Sequence, residues 1–353
     1  MKFGLNFFPS FRLTDGSTAE YFAQCVRLAE RADALGFNSV KAVEHYFFEY
    51  GGYSPNPVVF LSAVAARTRR IRPITGAVIP AFNNPIKVAA ELALLDNISG
   101  GRLDAGFGRG FIPTEFEAFG VSMEESRARF EEGLDIVTRL WTEERVSYEG
   151  TFHSFRDVRL LPRPVQKPHP PIWVAAVGTM ESFVWAGRRG YHMMIVPYAG
   201  DMQRVREMVR AYRQAWRDAG HPPGREQVQS SLHCYIAETH REAVEGARPR
   251  VERYIEVFGE AVSSWAAHRS GQYVGYSAMV DSIAKTTVES MLEGKQALIG
   301  TPDEVVEQLR YHLDLFGEIE PSMQINFGGM SDREAFRTLE LFASRVMPRF
   351  APA

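Results

Sequence analysis

The chain alternates short, almost continuously apolar runs with longer segments whose apolar residues recur every three or four positions. The runs at Lys2–Phe8, Ser39–Glu44, Ile71–Ile79, Leu103–Gly108, Ile172–Val177, Met193–Pro197, Val228–Ala237 and Met323–Phe327 read as strands. Their lack of polar alternation is the mark of parallel strands buried on both faces. Between them lie helices with explicit start signals. Ser17 and Glu20 form a capping box ahead of Phe22, Cys25, Val26 and Ala29 on one face, and Gly36 ends that helix. Ser122 with Glu125, Thr301-Pro302 with Glu304, and Ser331 with Glu334 predict three more starts. Eight strands alternating with helices predict an α/β fold, a (β/α)8 TIM barrel first and an open doubly wound sheet second. Two stretches break the rhythm. Arg145–Pro171 carries Pro162, Pro164, Pro168, Pro170 and Pro171 and reads as an irregular excursion with a hairpin. Residues 263–300 are rich in Gly, Ser and Tyr with weak periodicity, which suits a lid or binding loop.

Composition narrows the function classes. A barrel can use all 353 residues as one domain, 1–353. Lys and Arg number 40 against 43 Asp and Glu, a net charge of −3, so no basic excess exists to neutralise a nucleic-acid backbone. No apolar run approaches the roughly 18 residues of a membrane span, and the apolar start is interrupted by Asn6, unlike a signal-peptide core. Two cysteines, Cys25 and Cys234, make no disulfide framework, which fits a cytoplasmic protein. The nine histidines form no metal-binding motif, and no G-x-S-x-G elbow is present.

In a barrel, chemistry gathers where strands end. The second strand ends in Glu44-His45, a carboxylate beside an imidazole, suited to acid–base work or to capping and burial. Gly76 and Ala77 lie near the end of the third, where a missing side chain permits close approach or a bulge. Gly108-Arg109-Gly110-Phe111 follows the fourth. It is not a dinucleotide fingerprint, because Phe111 occupies the last glycine position; an arginine on a glycine turn can instead grip a phosphate or pair with a carboxylate. Val177-Gly178-Thr179 ends the fifth strand and opens a helix whose backbone N–H groups can hold an anion. Tyr198 ends the sixth, and with Phe7, Phe8, Phe47, Phe82 and Phe111 it supplies aromatic walls for a flat ring or simply core.

Several of these residues also carry a resemblance. Glu44-His45 with Phe47 and Glu49, Leu95-Asp96 with Ser99–Arg102, Gly108-Arg109-Gly110, Pro168–Trp173, Gly300–Pro302 and Leu341–Pro348 together resemble the bacterial luciferase-like monooxygenases, nearest the luciferase α-type branch. The resemblance implies a barrel that binds FMN as FMNH2, delivered by a separate NAD(P)H:flavin reductase. It implies O2 as co-substrate, a flavin C4a-peroxide, and oxygenation of a small organic molecule, apolar or aromatic. By the same resemblance His45 is catalytic. Glu44, Gly76, Ala77, Gly108, Arg109, Phe111, Val177, Gly178, Thr179 and Tyr198 surround the cofactor. Gly76–Ala77 is a non-prolyl cis peptide, residues 263–300 are a mobile lid, and the protein is a homodimer through helices near 57–98 and 113–142. Tyr46 and Gly108 stand where luciferases carry a second histidine and a reactive cysteine, which argues against light emission. A deazaflavin (F420)-dependent oxidoreductase and a non-catalytic partner subunit are the competing expectations.

Overall fold

The computed structural model describes residues 1–351 except 200, 269, 274 and 284. Its strands are β1 Gly4–Phe7, β2 Ser39–Ala42, β3 Arg72–Thr75, β4 Ala105–Gly108, β5 Val146–Glu149, β6 Ser154–Val158, β7 Ile172–Ala175, β8 His192–Ile195, β9 Val228–Ile236, β10 Leu298–Gly300 and β11 Glu320–Gln324. Eight of them run parallel in the order β3-β2-β1-β11-β9-β8-β7-β4. Single parallel bridges, Ile74 to Asp104 and Val78 to Phe107, bring β3 and β4 together and close the cylinder. This is the (β/α)8 barrel. β5 and β6 form the hairpin expected inside the proline-rich excursion. β10 extends the ladder at the far end of β9.

The helices wrap the outside: α1 Thr18–Leu35, α2 Pro57–Arg67, α3 Pro85–Ile98, α4 Pro113–Ala118, α5 Ser126–Thr142, α6 Met180–Arg189, α7 Met202–Asp218, α8 His240–Val262, α9 Tyr276–Ile283, α10 Val288–Glu293, α11 Pro302–Phe316 and α12 Asp332–Leu341. Ser17, Thr301 and Ser331 form the reciprocal capping boxes predicted, and Gly36 ends α1 in the left-handed region at φ 87°. Ser122 does not. It accepts from the N–H of Glu124 and opens a 3-10 turn, and α5 begins only at Ser126. The carboxylates are drawn elsewhere, Glu125 to Arg129 and Glu124 to the N–H of Gly271, so neither reaches back to Ser122.

The eighth barrel strand lies three residues earlier than expected, at Glu320–Gln324 rather than Met323–Phe327. Its start is polar but buried: Glu320 accepts from Asn38 Nδ2 at 2.7 Å, from Gln229 Nε2 at 3.2 Å and from Ser39 Oγ. Ile325–Phe327 are buried outside the ladder, where Asn326 Nδ2 reaches Cys25 Sγ. Two of the segments that carry the resemblance prove structural. Arg102 donates to the carbonyls of Ala65, Thr68, Ile71 and Ser99, tying α2 and α3 to the foot of the barrel. Asp96 holds the backbone and side chain of Gln166, the anchor of the proline-rich excursion.

Candidate active site

A deep cavity opens at the C-terminal ends of the strands, with about 1340 Å³ of space between its walls, the open mouth included. Its residues come from nearly every strand end, as the topology dictates. Glu44, His45, Gly76, Ala77, Gly108, Arg109, Phe111, Val177, Thr179 and Tyr198 all line it. Gly178 does not; it forms the turn behind the wall, where its carbonyl accepts from Arg204 Nη2 at 3.2 Å.

The β2 side carries titratable groups. His45 Nδ1 lies 3.1 Å from Glu115 Oε1, which also accepts from the N–H of Tyr46 at 2.8 Å. An oxygen already accepting a backbone N–H makes Nδ1 the donor, and the neutral ring then offers Nε2 as its second, accepting nitrogen. Glu115, on α4, is fully buried. Phe8 and Phe111 flank the imidazole at ring distances of 5.6 and 5.9 Å. Glu44 is pinned rather than free. Its carboxylate accepts from the N–H of Ile79 at 3.0 Å, from Asn83 Nδ2 at 2.8 Å and from Tyr46 Oη at 2.7 Å. Burial pushes it up to about 7 although those three donors favour its charged form. It thereby fixes the loop that follows the Gly76–Ala77 peptide, which is cis as expected.

The opposite side carries permanent charge. Arg109 donates from Nη2 to the carbonyl of Gln272 at 3.3 Å, and its guanidinium lies 4.8 Å from the centre of the Tyr273 ring. Its Nη1 is buried with no hydrogen-bond partner, and among the described residues no carboxylate pairs with it. Arg127, on the first turn of α5, also faces the cavity and donates to Gln272 Oε1 at 3.4 Å. Burial, and after it the neighbouring charge of Arg109, lower the affinity of Arg127 for a proton. The N-terminus of α6 lines the same cavity through Thr179 and Ser182. Thr179, its N-cap, turns its hydroxyl to Ser182 Oγ at 2.8 Å and caps no backbone N–H. Arg127 is paired with Glu181 Oε2 at 3.0 Å, so Arg109, which no carboxylate pairs among the described residues, and the uncapped first turn of α6 are the groups suited to an anion here.

Described residues from the first half of the 263–300 stretch pack against this mouth. Trp265 Nε1 donates to the carbonyl of Phe111 at 3.0 Å and Tyr273 Oη to that of Gly110 at 2.9 Å. Tyr276 and Ile283 enter the cavity wall. The last three residues of the stretch are β10, strand rather than loop.

Sequence reasoning missed four contributors. Glu115 and Arg127 sit in the first turns of helices, where charges read as ordinary capping. Tyr254 comes from α8 and joins Tyr50 at 3.3 Å and Tyr198 at 3.0 Å in a line of phenols. Lys41 is the fourth, and it carried a visible signal: a lone charge inside the apolar run Ser39–Ala42.

Comparison with known proteins fits this geometry. The family of luciferase-like monooxygenases matches residues 1–317. The chain belongs to that family, and it is a monooxygenase. The crystal structure of monooxygenase RslO1 from Streptomyces bottropensis is 45% identical, covers 99% of this chain and 100% of its own, and superposes with a TM-score of 0.90. The oxygenase component of flavin-dependent trigonelline monooxygenase from Acinetobacter baylyi is 29% identical, over 99% of this chain and 96% of its own. The oxygenating constituent of 3,6-diketocamphane monooxygenase from Pseudomonas putida, solved with FMN, shares the fold at a TM-score of 0.80 and 23% identity, covering 99% of this chain and 98% of its own. Among the described residues no group of side chains could hold a metal ion, and no helix is long and apolar enough to cross a membrane.

Proposed function

We propose that this monooxygenase is the oxygenase half of a two-component system. It takes FMNH2 from a separate NAD(P)H:flavin reductase and uses O2 to oxygenate a small apolar or aromatic organic molecule. The observation that carries the reading is the buried, unpartnered Nη1 of Arg109 beside Arg127 and the uncapped α6 N-terminus. A buried donor without a partner costs roughly 1–3 kcal/mol, and a phosphate tail would satisfy it. Reduced flavin, when bound, supplies the electrons for oxygen activation.

The chain's own residues do the rest. Arg109, Thr179 and the amides after Val177 hold the phosphate, and Gly178 allows the turn. Gly76, Ala77 and Gly108 present a side-chain-poor shelf to a flat ring: a Cβ on Gly108 would lie 3.2 Å from that of Ala77. Glu44 fixes the shelf through Ile79, and Phe111 and Tyr198 wall the cavity. His45 accepts or returns a proton at Nε2, oriented by Glu115. The segment 263–300 is the lid of the single domain 1–353; closed on Phe111 and Gly110, it keeps water from the reaction. The protein works in the cytoplasm as a homodimer. The large exposed side chains of α2 and α3, Val59, Leu94 and Ile98, support pairing through those helices.

The test supplies FMNH2 anaerobically, adds O2 and candidate aromatic substrates, and looks by mass spectrometry for a product one oxygen heavier. A product requiring both FMNH2 and O2 supports the proposal. Substrate oxidation that instead reduces F420 without O2 overturns it.

A further inference from the structure

The floor of the cavity holds a charge that the proposed oxygenation does not use. Lys41 points inward from the middle of β2, between outward-facing Val40 and Ala42, and is 3% exposed. Its Nζ donates to Ser231 Oγ at 2.8 Å, and no ion pair is made with it among the described residues. The carboxylate that acts on it electrostatically is Glu320, which is occupied by Ser39, Asn38 and Gln229. Burial without a counter-ion pulls the amine down to about 7. The stem of the lysine passes directly beneath the shelf: a Cβ on Gly76 would sit 2.2 Å from both Lys41 Cγ and Cδ. Asn6 and Gln324 line the same floor, and each has a buried side-chain oxygen without a partner. Polar groups left unsatisfied at the base of an otherwise apolar cavity mark a place completed by a ligand.

We propose that Lys41 is a flavin-binding residue that selects the reduced, anionic ring over the oxidised, neutral one. This rests on the flavin reading above. Reduction adds negative charge to the ring, and an amine held dry beneath the shelf gains a counter-ion only in that state. Asn6 and Gln324 supply the polar companions that a ring edge of carbonyls and N–H groups requires. For a protein fed by a diffusing carrier, such discrimination matters, because oxidised FMN competes for the same phosphate grip.

The experiment measures dissociation constants for oxidised FMN and, anaerobically, for FMNH2, with wild type, Lys41→Met and Lys41→Gln. Lys41→Met keeps the stem and removes the charge. Wild type should prefer the reduced form, and both variants should lose at least tenfold of that preference while binding oxidised FMN as before. A tenfold loss lowers the potential of the bound couple by about 30 mV. Equal weakening of both forms, or no change in either, overturns the inference. If neither variant folds, the absorption spectrum of FMNH2 bound to wild type decides: it should be that of the anionic ring at a pH where free FMNH2 is largely neutral. A neutral-ring spectrum overturns it. If wild type binds neither form, the flavin reading itself fails, a result distinct from the others.

Discussion

The two sides of the cavity are built from different chemistry. On one, a single strand and its exit place Lys41, Glu44 and His45 within five residues, and the two whose affinity for protons is displaced, Lys41 and Glu44, both settle near 7. On the other, Arg109, Arg127 and the α6 amides carry charge that no ordinary pH removes. Under the proposed function, the contrast follows from what each side would have to do. A phosphate tail is always charged and needs a fixed partner, whereas proton transfer and discrimination between redox states need groups whose charge can change. Burial creates the first kind of side from lysine and carboxylate; only guanidinium and backbone dipoles can make the second.

The largest effect should come from the titratable side. His45→Ala should cut kcat with the true substrate by roughly 10²–10⁴-fold, the usual contribution of a positioned acid or base, while FMN binding stays intact; unchanged turnover would place catalysis elsewhere. Arg109→Ala tests the permanent side. Losing charge-assisted hydrogen bonds worth roughly 1.5–3 kcal/mol should weaken FMN binding about 10- to 150-fold and leave riboflavin, which lacks the phosphate, unaffected. Equal losses for both ligands would mean that Arg109 shapes the mouth and does not grip the tail.

A smaller change should follow Glu115→Ala, since Glu115 is not itself a cavity-lining residue and reaches the site by orienting His45. Turnover should drop about tenfold at unchanged KM, and Glu115→Asp should restore part of it; a matching rise in KM would mark it as a fold contact. The smallest effect is a slope. Glu44 in the folded protein holds its proton up to about 7, above the usual carboxylate range. The folded state therefore binds more protons than the unfolded one between the two values, and the stability that this proton uptake contributes declines as pH rises through that window. Chemical denaturation of Glu44→Gln from pH 4.5 to 7.5 should show a flatter decline than wild type. Parallel curves would place that titration on another group.

Some of this was legible in the sequence and some was not. Seven of the barrel strands stand out as apolar runs because a strand covered on both faces has no polar alternation to keep, and the eighth was displaced because its first turn of ladder, Glu320-Pro321-Ser322, is polar yet buried by mutual hydrogen bonds. Arg109, Thr179 and His45 were legible because strand ends in a barrel must face the cavity. Glu115 and Arg127 were not, since a charge in the first turn of a helix looks the same whether it caps the helix or serves a site across a gap of 70 residues in sequence.

By itself, then, the order of apolar runs, caps and glycines determined the barrel, and the positions of strand ends determined which residues meet in its mouth. Only the tertiary structure decided their state. That Glu44 is pinned, that one nitrogen of Arg109 is left bare, and that Lys41 lies dry beneath a glycine shelf all depend on contacts of about 3 Å between separate segments. Hydrogen bonding and desolvation act over such lengths, and no spacing along a chain encodes them.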